Sequence, residues 1–268
     1  MRFDSSKAWN EAAQSVAANR DVLLALAGVF MVLPLFALAV FVPQPEPPAG
    51  AEPEQLLKLL GAFYSKSWPA YLAAALINMV GTLAMLALIT DPSRPTVGQT
   101  IRLGAIGAPS VIAAQILMGM GLTLAAMVPV ALVSALGVPA LAVVAIAAAL
   151  ILAVWVWVRS ALVSPAVMVD GLKNPVAALR RSWRLTRGNA GRLLAFFVLV
   201  GLAFLVSILI VQMVIGLVLN LLLPGEAATV SIALIGAVLQ ALMSVYFVAV
   251  FAATHRQLVE PAQVEVFK

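Results

Sequence analysis

The chain has 268 residues, of which 63% are hydrophobic and 10% charged, with a formal net charge of +5 and no cysteine. So few charges exclude an ordinary soluble domain, where about 25% of residues are charged. The missing cysteine excludes disulfides and thiolate metal sites. The positive balance does not point to nucleic acid, because the cations flank long apolar runs and so favour a membrane surface.

Residues 1–21 are polar with helical spacing, Ser5 or Ser6 standing as N-cap and Trp9 and Val16 on one face. The apolar run 22–42 follows. It is long enough to cross a bilayer and exceeds the core of a signal peptide, about 7–15 residues, so it is expected to be a retained first span. Pro34 inside it predicts a kink. Residues 43–54, rich in proline and glutamate, predict an extended loop. Leu56, Leu57, Leu59, Leu60 and Phe63 predict a short amphipathic piece at the outer interface. Ser67-Trp68-Pro69 opens a second span that runs to Thr90, and the prolines at 92 and 95 end it.

Residues 95–107 echo the opening stretch, with a proline start, Arg102 and late glycines. A third span covers 110–134 with Pro129 inside it, and a turn at Gly137 leads to a fourth that ends near Arg159. Trp155 and Trp157 suit the aromatic belt of the interface. Gly119 and Gly121 in the third span favour close helix packing. A fifth apolar run lasts from 193 to 223, longer than the roughly 20 residues a span needs, and predicts tilt or protrusion. Pro224-Gly225-Glu226 turns the chain into a sixth span that ends near Thr254, with His255 and Arg256 beyond.

Nearly half of the Lys and Arg residues lie between 159 and 194. Asn174 as N-cap, Pro175 at the first helical position and Gly188 past the end predict a surface helix. At about 100° per residue, Lys173, Arg180, Arg184 and Arg187 share one stripe, with Arg181 alongside. Leu172, Val176, Leu179 and Trp183 share another, the pattern of a helix lying in a membrane interface. These cations are candidates to bind anionic head groups, with Trp183 and its apolar neighbours dipping toward the acyl chains. The competing roles are topology alone or pairing with an acid such as Asp170.

The same region carries a resemblance. Ser164-Pro165-Ala166-Val167-Met168-Val169-Asp170-Gly171, then Pro175, then Ala178-Leu179-Arg180-Arg181-Ser182-Trp183-Arg184-Leu185-Thr186-Arg187-Gly188 resembles the signature of the glycerophosphoryl diester phosphodiesterase membrane domain family and its YciC-like relatives. Asp170 stands where that family usually has Glu. The resemblance implies a six-span domain of a bacterial inner membrane, which in that family is sometimes fused to a soluble phosphodiesterase and otherwise stands alone without a settled activity.

The layout predicts an all-α polytopic fold over 1–268 as one membrane domain, with six transmembrane helices in three hairpins. A cytoplasmic amphipathic helix precedes each hairpin, giving a weak repeat over 6–90, 95–158 and 175–254 with a period of about 80 residues. The Lys and Arg residues, apart from Lys58 and Lys66, lie on the face of both termini, whereas Glu46, Glu52, Glu54 and Glu226 lie on the other. The positive-inside rule then places both termini in the cytoplasm.

No span carries a central charged residue, which argues against a proton-coupled carrier or an intramembrane enzyme. His255 lacks accompanying ligands and is expected to be interfacial, so no metal and no cofactor is expected. Asn78, Gln115, Gln212 and Gln240 lie at depth, where they serve either interhelical hydrogen bonds or a polar cavity. The expectation is a non-enzymatic membrane protein whose partners are anionic phospholipids or another protein. The alternatives are a permease for a lipid or amphiphile, and an accessory to a separate phosphodiesterase.

Overall fold

A computed structural model describes residues 3–45, 47, 48, 50, 52–93 and 95–259. Glu46 of the outer loop, Arg94 and the tail after 259 lie outside the described residues. The chain is an all-α polytopic protein with six helices long and apolar enough to span a membrane. A short α1 (Ser5–Ala18) leads into α2 (Arg20–Ala27), a π turn (Gly28–Val32) and α3 (Leu33–Phe41), which together make the first span. Then come α4 (Pro53–Thr90), α5 (Val97–Ala135) and α6 (Pro139–Ser160). Two short helices, α7 (Val163–Met168) and α8 (Pro175–Leu185), precede the final pair, α9 (Ala190–Leu222) and α10 (Gly225–Val259).

Local chemistry sets the helix starts. Asp4, not Ser5 or Ser6, caps α1 by accepting from the Lys7 N–H at 3.0 Å, which puts the ionised acceptor at the positive helix end. Thr96 and Gln99 form a reciprocal capping box at α5. Asn174 accepts from the Val176 and Ala177 N–H groups at 2.9 and 3.2 Å, and Pro175 opens α8 as predicted. Gly188 has φ +81, a left-handed conformation that a Cβ would disfavour.

Two expectations are corrected. Residues 56–63 are not a separate amphipathic piece but the first turns of α4, which continues through Pro69 for 38 residues. The 95–107 segment is likewise continuous with the third span, so α5 runs 39 residues with Pro109 and Pro129 inside it. Separate amphipathic helices therefore precede only the first and third hairpins, as α1 and α8. At Pro34 the first span departs from regular α geometry. The turn before it widens to π geometry, which accommodates a ring that would crowd the preceding carbonyl.

Buried residues gather at one end of the bundle. In α4 they are chiefly Gly81 to Ala87, in α5 Thr100 to Ala114, in α6 Val156 to Ser160 and in α9 Leu193 to Val200. In α10 most lie from Ala237 to His255. Because successive helices run in opposite directions, all these stretches meet at the end that carries the termini and most of the cations. The other halves expose Leu, Ile, Val and Met along their length, with Ser67 and Ala228 the buried exceptions. Burying apolar surface against lipid or against another helix is nearly equivalent, so packing must be specified by shape and hydrogen bonds. Small residues supply the shape at the basic end. A Cβ on Gly104 would lie 2.6 Å from the Val80 carbonyl oxygen, and α4 and α5 touch there backbone to backbone. Gly119 and Gly121, expected to serve close packing, have no neighbour within 4 Å; Gly81, Gly104 and Gly107 do that work.

Candidate functional site

The turn between α6 and α7, the loop after α7, and α8 are tied together by side chains of the 159–188 stretch. Ala178 and Ser182, both fully buried, let α8 approach closely. The Ser182 hydroxyl donates to the Arg159 carbonyl at 2.7 Å and accepts from the Leu162 N–H at 3.2 Å. These are backbone groups that the end of α6 leaves without helical partners. One turn on, the Thr186 hydroxyl donates to the Ser182 carbonyl at 2.9 Å. The Trp183 indole N–H donates to the Ser160 hydroxyl at 3.2 Å, and its ring meets Trp155 edge-on at 5.2 Å.

This arrangement gives the apolar face of α8 protein contacts as well. Leu179 packs into a core cluster with α5 and α7, and Trp183 lies edge-on to Trp155 of α6, so both side chains contact neighbouring helices. Val176 alone of the predicted apolar set is well exposed. The small, buried side chains at Ala178 and Ser182 allow this packing, because they present a flat surface to the neighbouring helices.

The cations divide into two groups. Arg181 Nε donates to Asp170 Oδ2 at 2.7 Å, so this arginine is used inside the protein. Lys173, Arg180, Arg184 and Arg187 are exposed and have no acidic partner among the described residues. The same Asp170 oxygen lies 3.3 Å from His255 Nε2. An ionised carboxylate only accepts, so this hydrogen bond forms in the tautomer that carries the proton on Nε2. His255, near the end of α10, is 2% exposed and so is packed within protein. Asp170, Arg181 and His255 thus join the loop after α7, α8 and the end of α10 through one carboxylate. Among the described residues no three His, Cys, Asp or Glu side chains gather as a metal site.

A cavity of about 570 Å³ opens on the membrane side of this cluster, walled by the first span, α4, α5, α7 and α10. Tyr71, Asn78, Thr82, Gln115 and Ser164 give it a polar minority, and no charged side chain lines it. Asn78 and Gln115 are therefore brought together. Gln212 and Gln240 are not in its wall; Gln212 lies beside Gly236 on the neighbouring α10, and Gln240 is exposed. One turn of α10 separates Phe251 in the cavity wall from His255 at Asp170.

Sequence reasoning missed two features. The link from Asp170 to His255 spans 85 positions and left no local signal. The second is Arg159, whose guanidinium carbon sits 5.4 Å from the Trp155 ring and 5.5 Å from the Trp183 ring. The i, i+4 spacing of Trp155 and Arg159 was the available clue. The chain matches no family model, no curated protein and no solved structure.

Proposed function

We propose that this chain is a non-enzymatic protein of a bacterial inner membrane, with both termini in the cytoplasm, that holds anionic phospholipid against the basic face of α8. The observation that carries the reading is the exposure of Lys173, Arg180, Arg184 and Arg187 without acidic partners, beside an Arg181 that Asp170 neutralises. The orientation is supported by the gathering of cations at the end with both termini, opposite Glu52, Glu54 and Glu226. Each cation near an anionic leaflet is worth about 1 kcal/mol within a Debye length. Arginine also offers forked donors that suit phosphate oxygens.

The test replaces Arg180, Arg184 and Arg187 together by Gln and measures retention on phosphatidylglycerol vesicles. Losing three such charges should weaken retention about 100-fold at low salt and much less at high salt. Unchanged retention with an altered orientation would make the stripe a topology signal only. The same purified protein is expected to leave glycerophosphodiesters intact, because among the described residues no cluster of His, Cys, Asp or Glu is placed to hold a metal. Turnover that survives purification and vanishes in Asp170→Asn would overturn the non-enzymatic reading.

A second reading, passage of an amphiphile across the membrane, is favoured by the cavity that Asn78 and Gln115 share. Replacing both by Leu should slow movement of a fluorescent lipid analogue between leaflets in reconstituted vesicles. Equal rates in the double variant and the parent would remove this reading.

A further inference from the structure

The outward face of α6 near the basic end carries Leu152, Trp155 and Arg159 at helical spacing, so they rise in line along one side of the helix. Leu152 and Trp155 form one wall of a groove of about 330 Å³ whose other walls are Leu117, Met118 and Leu122 of α5 and Trp183 of α8. Apart from the edges of the two indoles this lining is aliphatic, and Leu117 and Trp155 are nearly half exposed. At the groove's basic end the Arg159 guanidinium rests on both indole rings. Its Nε is sealed from solvent with no hydrogen-bond partner, and no carboxylate among the described residues pairs with it. An unpaired, half-sheltered cation above an apolar slot is costly unless something anionic meets it.

We propose that this groove holds a single anionic phospholipid, with its phosphate on Arg159 and one acyl chain lying along Leu152, Leu117 and Leu122. Charge complementarity decides the occupant. The slot is narrow and apolar at bilayer depth, and its only charge is the cation at the head-group end. A helix from another protein would leave that charge unmet unless it carried an acid at the same level. The two indoles hold the guanidinium in place, so little side-chain freedom is lost when the phosphate binds. Arg159 is distinct from the α8 stripe. The proposal rests on the lipid-binding reading only for the leaflet from which the lipid comes. The groove also meets a second, smaller cavity, with which it shares Met118 and Leu179, and that cavity shares Gln115, Ala161, Ser164 and Phe251 with the central one.

Trp155 and Trp183 make the site its own reporter. The experiment uses the full chain with Trp9, Trp68 and Trp157 replaced by Phe, reconstituted in phosphatidylcholine vesicles. Phosphatidylglycerol or phosphatidylcholine with brominated acyl chains is then titrated in as quencher. The expected result is a preference of about tenfold for the anionic lipid, the size of one charge-assisted contact. Arg159→Gln should bring it near unity, and Arg159→Lys should restore part of it. Ala125→Phe, which fills the slot without touching the cation, should reduce quenching by both lipids while the melting temperature holds. The proposal is overturned if the parent shows no preference, or if Arg159→Gln keeps it. A preference lost in the Arg180, Arg184 and Arg187 triple variant but kept in Arg159→Gln would assign it to the stripe and also overturn the groove. Failure of the stripe reading shows elsewhere, as unchanged vesicle retention in the triple variant, and leaves the quenching ratio intact.

Discussion

Asp170 serves two partners with one oxygen, and the cost of losing it follows from what remains. Asp170→Asn keeps the shape but leaves the Arg181 cation, about a quarter exposed, beside a buried His255 with no neutralising charge. A fully buried pair broken this way costs about 3–5 kcal/mol, and partial exposure of this one reduces the expected loss to about 2 kcal/mol. Unfolding in detergent should show it as a lower melting temperature. The double variant with Arg181→Leu should be less harmful than the two single losses summed, because it removes the orphaned cation. Ser182→Ala is a cleaner probe of the same cluster. It strips partners from the Arg159 carbonyl and the Leu162 N–H at once, so about 1–3 kcal/mol of destabilisation is expected without any change of charge.

Between helices, the contact of α4 with α5 depends on an absent side chain. Gly104→Ala would place a Cβ 2.6 Å from the Val80 oxygen and 2.9 Å from the Ala84 nitrogen, both backbone atoms that cannot swing away. About 1–3 kcal/mol of overpacking strain is expected. Gly98→Ala on the same helix meets nothing within 4 Å and should be neutral or slightly stabilising. Thermal unfolding of the two variants side by side checks the difference. Legibility at this scale was uneven for physical reasons. The spans and the start of α8 were plain, since long apolar runs, Asn174 and Pro175 act locally. The continuity of α4 through Pro69 and of α5 through Pro109 was hidden. A proline that argues for a break in water is tolerated where surrounding helices meet the freed backbone groups. Which glycines pack closely was also illegible, because Gly104 and Gly119 differ only in what faces them. The cavity was half legible: Asn78 and Gln115 were marked by polarity at depth, but polarity alone could not separate them from Gln212 and Gln240.

For the molecule as a whole, threading is the first property to measure, and the lack of cysteine makes single-cysteine labelling clean. A cysteine replacing Gln44, in the loop after the first span, should react with an impermeant thiol reagent from outside the cell. One replacing the exposed Asn10 of α1 should react only after the membrane is opened. The reverse pattern would invert the orientation argued from charge. The even number of spans was readable from hydropathy. That the termini meet at one end was implied by it, yet the asymmetry of the core was not. Hydropathy rates a leucine facing a helix and a leucine facing lipid alike, so the pattern does not tell the packed half of α9 from the exposed half.

The meeting of the termini has a consequence for how the protein is made. The Phe3 N–H donates to Asn189 at 3.0 Å, the Asp4 N–H donates to Gln257 at 3.0 Å, and Ala8 and Ala12 of α1 share a cluster with Ala249, Val250 and Ala253 of α10. Helix α1 therefore seats on α10, which is synthesised later. At about 10 residues per second, roughly 25 s of synthesis separates Asp4 from its partner at Gln257. Through that interval the apolar side of α1 has no place to dock, and the nascent chain presents it to membrane, chaperone or protease. A message truncated before α10 leaves that side of α1 without its partner surface.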